Sequence, residues 1–501
     1  MIRKVKVENG WVRGLPAADP RITSYKGIPF AAKPIGPNRW RAPQPCPDWE
    51  GELFAAEFGP IAMQANCAGD PATDIYAREW AVDAELPMSE DCLYLNVWAP
   101  ADGRKNMPVY VWYFGGGLQV GNTAEMEFDG ERLARRGIVV VTVGYRLNAF
   151  GFLCHPEITA ENPDAPANFG FLDQQCATRW VKRNIAAFGG DPENITIGGQ
   201  SAGGMSVCAQ MTSPQNKGLF QRAIVQSGTF RQPYDGMFGL FPLTMERAEE
   251  QGKRFFEILG VKTLEEARAL PARFIEDKSL EQPWGCWGEA VDGVFSVYPS
   301  SEWYLHPERV ICPVLLGQTS SEFTIAPSAE NDEELFALGE KCFQSGEEFS
   351  ALFSHPATKE SIAKEGLVHS IDFAIRCAAR MNEKQSIDQP LYAYNFDAFI
   401  PGWDNPGTFH SVDLWFFFET LAKCWRPFTG QHYDLARQMC DYWVNFIRTG
   451  DPNGLDSQGK DLPFWPRLNE EQPVHMTFTD SAKPVKWPAS KLESFLLGKH
   501  L

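Results

Sequence analysis

At 501 residues, 44% of them hydrophobic and 22% charged, the chain has the make-up of a folded globular protein with ample material for a large core. A formal net charge of −18, spread without long runs of one sign, excludes a nucleic-acid or anionic-membrane surface and describes a solvated acidic one. No apolar run is long enough to span a bilayer, and none of the 12 cysteines forms a close pair with metal-site spacing.

The stretch Met1 to Gly10 alternates charges with apolar residues and has no signal-peptide core, so a cytoplasmic protein with reduced cysteines is expected. Continuous apolar, β-branched runs then recur at Val109 to Phe114, Gly137 to Tyr145, Asn194 to Ile197, Arg222 to Val225, Pro313 to Leu316 and Leu391 to Asn395. Bounded by Gly, Pro or Asn, they read as strands buried on both faces, which is the habit of a mainly parallel sheet. Helical spacing appears over Leu172 to Ala187, with Asp173 near its start, and over Ser201 to Met211, Thr244 to Leu259 and Asp434 to Arg448. Alternating strands and helices give an α/β architecture, and there is no internal repeat. The stretch from about 231 to 293 has no clear strand and reads as a helical insertion over the sheet, within one domain covering 1–501.

Gly199-Gln-Ser201-Ala-Gly203 stands between a strand and a helix. A Gly-x-Ser-x-Gly turn in that setting is the nucleophile elbow: small residues two before and two after let the chain turn sharply and expose the serine Oγ. The backbone N–H of Ala202 then faces a bound acyl group. The same letters also describe a Gly/Ser turn capping a helix, so the setting carries the inference. Gly115-Gly116-Gly117 directly follows a buried strand, where glycines can aim amide N–H groups at a developing oxyanion.

A serine at neutral pH needs a base, and histidine has the right pKa. Of the eight histidines, His155 precedes the serine and falls out of the fold's serine–acid–histidine order. His432 lies just before a helix and His500 is terminal. His410, in a loop-like stretch after the Leu391 strand, is favoured by position and order. Glu322 follows the Pro313 strand by a short loop, where the fold presents catalytic side chains.

With these motifs the chain resembles the type-B carboxylesterase family, which includes cholinesterases and fungal lipases. The matching stretches are Tyr25 to Ala31, Arg39 to Pro43, Ser89-Glu-Asp-Cys-Leu-Tyr-Leu-Asn-Val97, Phe188 to Thr196, Leu219 to Gly228 and Trp443 to Asn453. The resemblance implies an α/β-hydrolase fold. Residue by residue it implies Ser201 as nucleophile, Glu322 as acid, His410 as base, Gly116, Gly117 and Ala202 as oxyanion donors, and Ser227 as a buried serine behind the triad. It puts Trp284 and Trp287 where the family builds its acyl pocket, with Trp80 and Phe230 approaching the gorge.

Three departures stand out. Gln200 replaces the usual glutamate before the nucleophile, and Ser321 the usual aspartate before the acid. The family's first N-terminal cysteine should fall near Ala62, but the nearest here is Cys67, so a Cys67–Cys92 bridge is not expected. An uncharged Gln200 leads to an expectation of neutral short-chain or aromatic esters, hydroxycinnamoyl types among them, over choline esters, and of a base titrating near its ordinary value. No metal or cofactor is expected. The rival expectations are a silent adhesion protein on the same fold, which would lack the serine or histidine present here, and an acyltransferase with the same triad.

Overall fold

The computed structural model describes residues 1–501 apart from 66–69, 71, 81–85, 235–241 and 472. Each of the six apolar runs becomes a strand in the middle of an eleven-stranded sheet. In chain order the strands are β1 (Leu15–Pro16), β2 (Ile22–Pro29), β3 (Tyr94–Pro100), β4 (Met107–Tyr113), β5 (Val139–Val143), β6 (Gly190–Gln200), β7 (Arg222–Gln226), β8 (Val314–Thr319), β9 (Leu391–Phe396), β10 (Val474–Phe478) and β11 (Ala482–Lys486). Their order across the sheet is β11-β10-β9-β8-β7-β6-β4-β5-β3-β2-β1. From β5 to β10 every pairing is parallel. The pairings outside that range are antiparallel. Val109, Val111, Val139 to Val141, Ile195, Ile197, Ile224 and Leu315 are all buried, so both faces of the central strands are covered, as continuous apolar runs require.

The antiparallel margins carry weaker patterns. Strand β11 is Ala-Lys-Pro-Val-Lys, exposed after its first residue. Lysine and proline on an outermost strand blunt it against further pairing, and they also hide it from a search for apolar runs.

Four longer helices concern the site: α1 (Phe169–Asn184), α2 (Ala202–Thr212), α3 (Met245–Leu259) and α4 (Gly430–Thr449). Helix α1 begins and ends about three residues earlier than its periodicity suggests. Asp173 lies a turn inside it, fully buried, with its carboxylate held by Arg146 at 2.7 Å. Thr244 caps α3, its hydroxyl accepting the Arg247 N–H at 3.4 Å. Helix α4 starts before Asp434, because the chain is capped at Thr429. His432 therefore lies inside the helix rather than before it, where its Nδ1 accepts the Thr429 N–H at 3.0 Å.

The stretch 231–293 is mostly helical among its described residues, but not wholly strandless. Leu243–Thr244 and Ala290–Val291 pair as a two-residue parallel ladder that closes the insertion at its base. Such short ladders carry no periodicity to read. Eleven cysteines are free thiols, and burial pushes the Cys92 thiol up. Cys67, and with it the question of a Cys67–Cys92 bridge, lies outside the described residues.

Candidate active site

Strand β6 delivers its last residue, Gln200, to the carboxyl edge of the sheet, and helix α2 starts two residues later. Ser201 makes the whole reversal alone, at φ 56° and ψ −126°, with its N–H on the Gln226 carbonyl at 2.8 Å. A non-glycine residue in that conformation is strained, and strain of this kind persists only where the surroundings over-determine it. Gly199 and Gly203 supply the surroundings: a Cβ on either would run into backbone, that of Gly203 or of Tyr113. Ala202 is the first residue of α2, so its N–H has no partner within the helix.

The loop after β8 and the loop after β9 meet in a one-residue bridge between Ser321 and Phe409. That bridge sets the next residue of each loop side by side. His410 Nδ1 donates to Glu322, at 2.7 Å from Oε2 and 2.9 Å from Oε1. The Glu322 side chain is fully buried and that of His410 is 11% exposed. Thr319 Oγ1 also donates to Glu322, at 3.1 Å. Ser227, buried and at φ 46°, sits against the same carboxylate.

Burial works against both charged forms here, yet each group stabilises the other. The imidazole is pushed above histidine's ordinary value and the Glu322 carboxyl is held below the usual range. This corrects the expectation of an unshifted base. The other imidazole nitrogen, Nε2, stands 3.1 Å from Nε2 of Gln200.

Gly116 and Gly117 take φ of 108° and 66°, and the loop they open is pinned at several points. Gln64 Nε2 donates to the Gly121 carbonyl at 3.0 Å, and its Oε1 accepts the Gly121 N–H at 2.8 Å. The Asn148 N–H donates to the Leu118 carbonyl at 2.7 Å. Gln119 Nε2 donates to the carbonyls of Gly117 and Trp287.

Ser201, His410, Gln200, Gly116 and Gly117 share the wall of one cavity of roughly 1060 Å³. Trp80, Phe230 and Trp284 are on the same wall, the last 65% exposed at its surface. Trp287 is not. It is 2% exposed, its ring centroid 4.9 Å from that of Phe255 in a T-shaped contact, so it supports the wall from behind. Tyr76 stacks on Trp80 at 5.1 Å and Phe323 packs on His410 at 4.9 Å. No group of metal-ligating side chains occurs among the described residues.

A family model described as "Carboxylesterase family" matches residues 2–494. The chain belongs to the carboxylesterase family. It is 31% identical over 488 residues to para-nitrobenzyl esterase of Bacillus subtilis (strain 168), covering 93% of each protein. It is 32% identical to carboxylesterase 4A of Bos taurus, over 90% of this chain and 86% of that one. To the cholinesterase of Mus musculus it is 30% identical, over 96% and 84%. Among solved structures, a PNB esterase superposes with a TM-score of 0.80 at 29% identity over 99% of both chains. A carboxylesterase of Geobacillus stearothermophilus gives 0.74 at 28% identity, over 98% and 99%. The protein is accordingly a serine carboxylesterase with the α/β-hydrolase fold, acting on carboxylic esters. No described helix is long and apolar enough to cross a membrane.

Some residues that shape this carboxylesterase's site carry no motif. Gln64 and Gln119 hold the backbone of the glycine loop through their side-chain amides, and Asn148 holds it through its own backbone N–H. Asp413 is fully buried, accepts from Tyr394 Oη at 2.7 Å and Gln226 Nε2 at 3.1 Å, and is pushed up to about 6 by burial. Its proximity to His410 in sequence was the only available signal.

Proposed function

We propose that Ser201, His410 and Glu322 hydrolyse esters through an acyl-enzyme, the chain working as one α/β-hydrolase domain over 1–501 with its insertion at 231–293. The observation that carries this reading is the Glu322–His410 bond of 2.7 Å, which fixes the imidazole with Nδ1 on the acid and Nε2 toward the cavity that Ser201 shares. His410 Nε2 takes the Oγ proton as Oγ attacks the ester carbonyl. The N–H groups of Gly116, Gly117 and Ala202 bind the oxyanion, since backbone donors need no reorganisation as charge develops. The imidazolium gives its proton to the departing alcohol. Water then attacks the acyl-enzyme with His410 again as base, and Oγ recovers its proton. Glu322 keeps the tautomer and stabilises the imidazolium.

A cavity of roughly 1060 Å³ with aromatic walls and an uncharged Gln200 beside the base suits esters without formal charge near the scissile bond. Short-chain and aromatic esters, hydroxycinnamoyl types included, are the substrate class we assign. Eleven free thiols fit a reducing compartment, and we place the protein in the cytoplasm.

The test is Ser201→Ala with organophosphate labelling. Turnover should fall by roughly four to six orders of magnitude, and label should appear on Ser201 at one per chain. Label on a different serine, or an active Ser201→Ala enzyme, refutes the assignment.

A further inference from the structure

We propose that Gln119 is a positioning residue that ties the acyl-side wall of the cavity to the backbone of Gly117, so that acyl fit is read in turnover rather than in binding. This rests on the oxyanion role given above to Gly117 and on the acyl-side position that the family resemblance implies for Trp284.

Gln119 is buried, and its side chain points away from the cavity that its loop lines. One N–H of its carboxamide reaches the Gly117 carbonyl at 3.2 Å and the other reaches the Trp287 carbonyl at 2.7 Å. Its own backbone N–H bonds the Gly116 carbonyl at 3.0 Å. With Gly117 at φ 66°, a bond on its carbonyl fixes the remaining backbone torsion, and with it the direction of the Gly117 N–H relative to the loop that follows. Leu118, next along, is buried at φ 61° and its carbonyl is held by the Asn148 N–H at 2.7 Å. The chain that follows Gly117 is therefore fixed to the scaffold at Leu118 and, through Gln119, to the segment carrying Trp284 and Trp287.

That segment touches Gly117 a second time. A Cβ added to Gly117 would stand 2.7 Å from Trp284 Cζ2, so the indole lies against the glycine itself. Trp287 is anchored in the core on Phe255 of α3, whereas Trp284 is exposed and on the cavity wall. An acyl group that presses on Trp284 thus bears directly on Gly117, and Gln119 prevents the two from parting. A hydrogen-bond donor aimed at the oxyanion affects the transition state more than the bound ester, so its displacement lowers kcat rather than raising KM. Loss of one such donor costs about 100- to 1000-fold. A carboxamide that merely satisfied two loop carbonyls would show no dependence on the acyl group.

The experiment measures kcat and KM for p-nitrophenyl esters from acetate to octanoate in the natural enzyme, in Gln119→Met and in Trp284→Ala. Methionine has a similar shape and no N–H donors. In the natural enzyme acyl length should move kcat more than KM. In Gln119→Met, kcat on the best acyl group should fall about 10- to 100-fold, part of a full donor's worth, and its dependence on acyl length should flatten. Trp284→Ala should flatten the same profile from the exposed side, and the double variant should add little to either single one. A uniform fall in kcat across all acyl groups, a change in KM alone, or additive effects in the double variant would each overturn the proposal. If Gln119→Met has no cooperative melting transition, Gln119→Glu, which keeps the shape but offers no N–H donor, takes its place with the same expected and overturning outcomes. An active Ser201→Ala enzyme would instead bring down the underlying reading, whatever Gln119 does.

Discussion

On one side of Ser201 stands the elbow between β6 and α2. On the other stands the insertion wall, from the Leu243–Thr244 ladder to the 3₁₀ turn at Ser300–Leu305. The elbow is held by backbone. Gly199 meets Gly203, Gly204 meets Gly228, and the Ser201 N–H bonds the next strand's edge. The wall is held by side chains. Glu289 accepts from the hydroxyls of Ser296 and Ser300 and is pushed up to about 7 by burial, Trp287 packs on Phe255, and Gln119 reaches across to the Trp287 carbonyl. A backbone-held site tolerates almost no change of residue type, whereas a side-chain-held wall can be rebuilt with other residues. The difference matches what the proposed mechanism asks of each side: to place reacting atoms in one case and to choose among acyl groups in the other.

The largest effect that would break this division lies at Glu322. Changing it to Gln should lower kcat by roughly four orders of magnitude, because the imidazole loses the partner that fixes its tautomer. Asp404 is the contrast. It is nearly buried and paired with Arg426 at 3.0 Å and Arg78 at 2.9 Å, so Asp404→Asn removes one partner of buried pairs. Its cost of about 3–5 kcal/mol should appear in the melting temperature, with kcat nearly kept. Steady-state kinetics beside thermal melts checks both. If Asp404→Asn loses turnover at an unchanged Tm while Glu322→Gln keeps it, the acid has been misassigned.

The two tryptophans of the wall sharpen the comparison at a smaller scale. Trp287→Ala empties a core site and should cost about 3–5 kcal/mol of stability. Trp284→Ala, at a residue 65% exposed, should stay within about 0.5 kcal/mol while altering the acyl profile. Denaturant melts measure the first and the ester series the second. Equal stability losses would mean that the wall is a single packed unit with no separate rim.

This division also explains what could be read from the letters. The central strands β4 to β9 announced themselves because burial on both faces forces continuous Val, Ile and Leu. The elbow did so because only glycine fits at Gly199 and Gly203. Strands β10 and β11 did not, since each is partly exposed and β11 contains Pro484 and two lysines. Glu322 and His410 were legible through position and through likeness to a family, not through spacing. The bridge between Ser321 and Phe409 that unites them spans 88 residues of chain. Trp284 and Trp287 look alike in sequence, three residues apart, and only packing sends one to the cavity and the other to the core. Gln64, Gln119 and Asn148 hold the glycine loop by bonds to carbonyls, for which no residue pattern exists.

The effect expected at Gln200 is a shift rather than a loss, and it tests how an amide serves a base. With Nδ1–H on Glu322, the neutral imidazole presents a lone pair at Nε2, and the Gln200 N–H can donate to it across 3.1 Å. Once Nε2 carries the serine proton, two N–H groups face each other. A carboxamide answers this by turning over and offering Oε1, so it suits both protonation states. A carboxylate suits only the imidazolium. In the natural enzyme Glu322 outweighs burial and raises His410 above histidine's ordinary value. The base works only when neutral, so kcat/KM should fall as pH drops through that raised value. Gln200→Glu adds a second negative charge beside the ring and should move the fall to higher pH by about one unit or more, equivalent to about 1.4 kcal/mol per unit. Activity at neutral pH should drop and recover at alkaline pH. The same charge should shift kcat/KM toward a choline ester relative to its uncharged isostere, since a quaternary ammonium now meets a carboxylate as well as the aromatic wall. An acid limb that stays in place in Gln200→Glu would mean that this side chain does not face the imidazole during turnover, and the preference for uncharged esters would then need another cause.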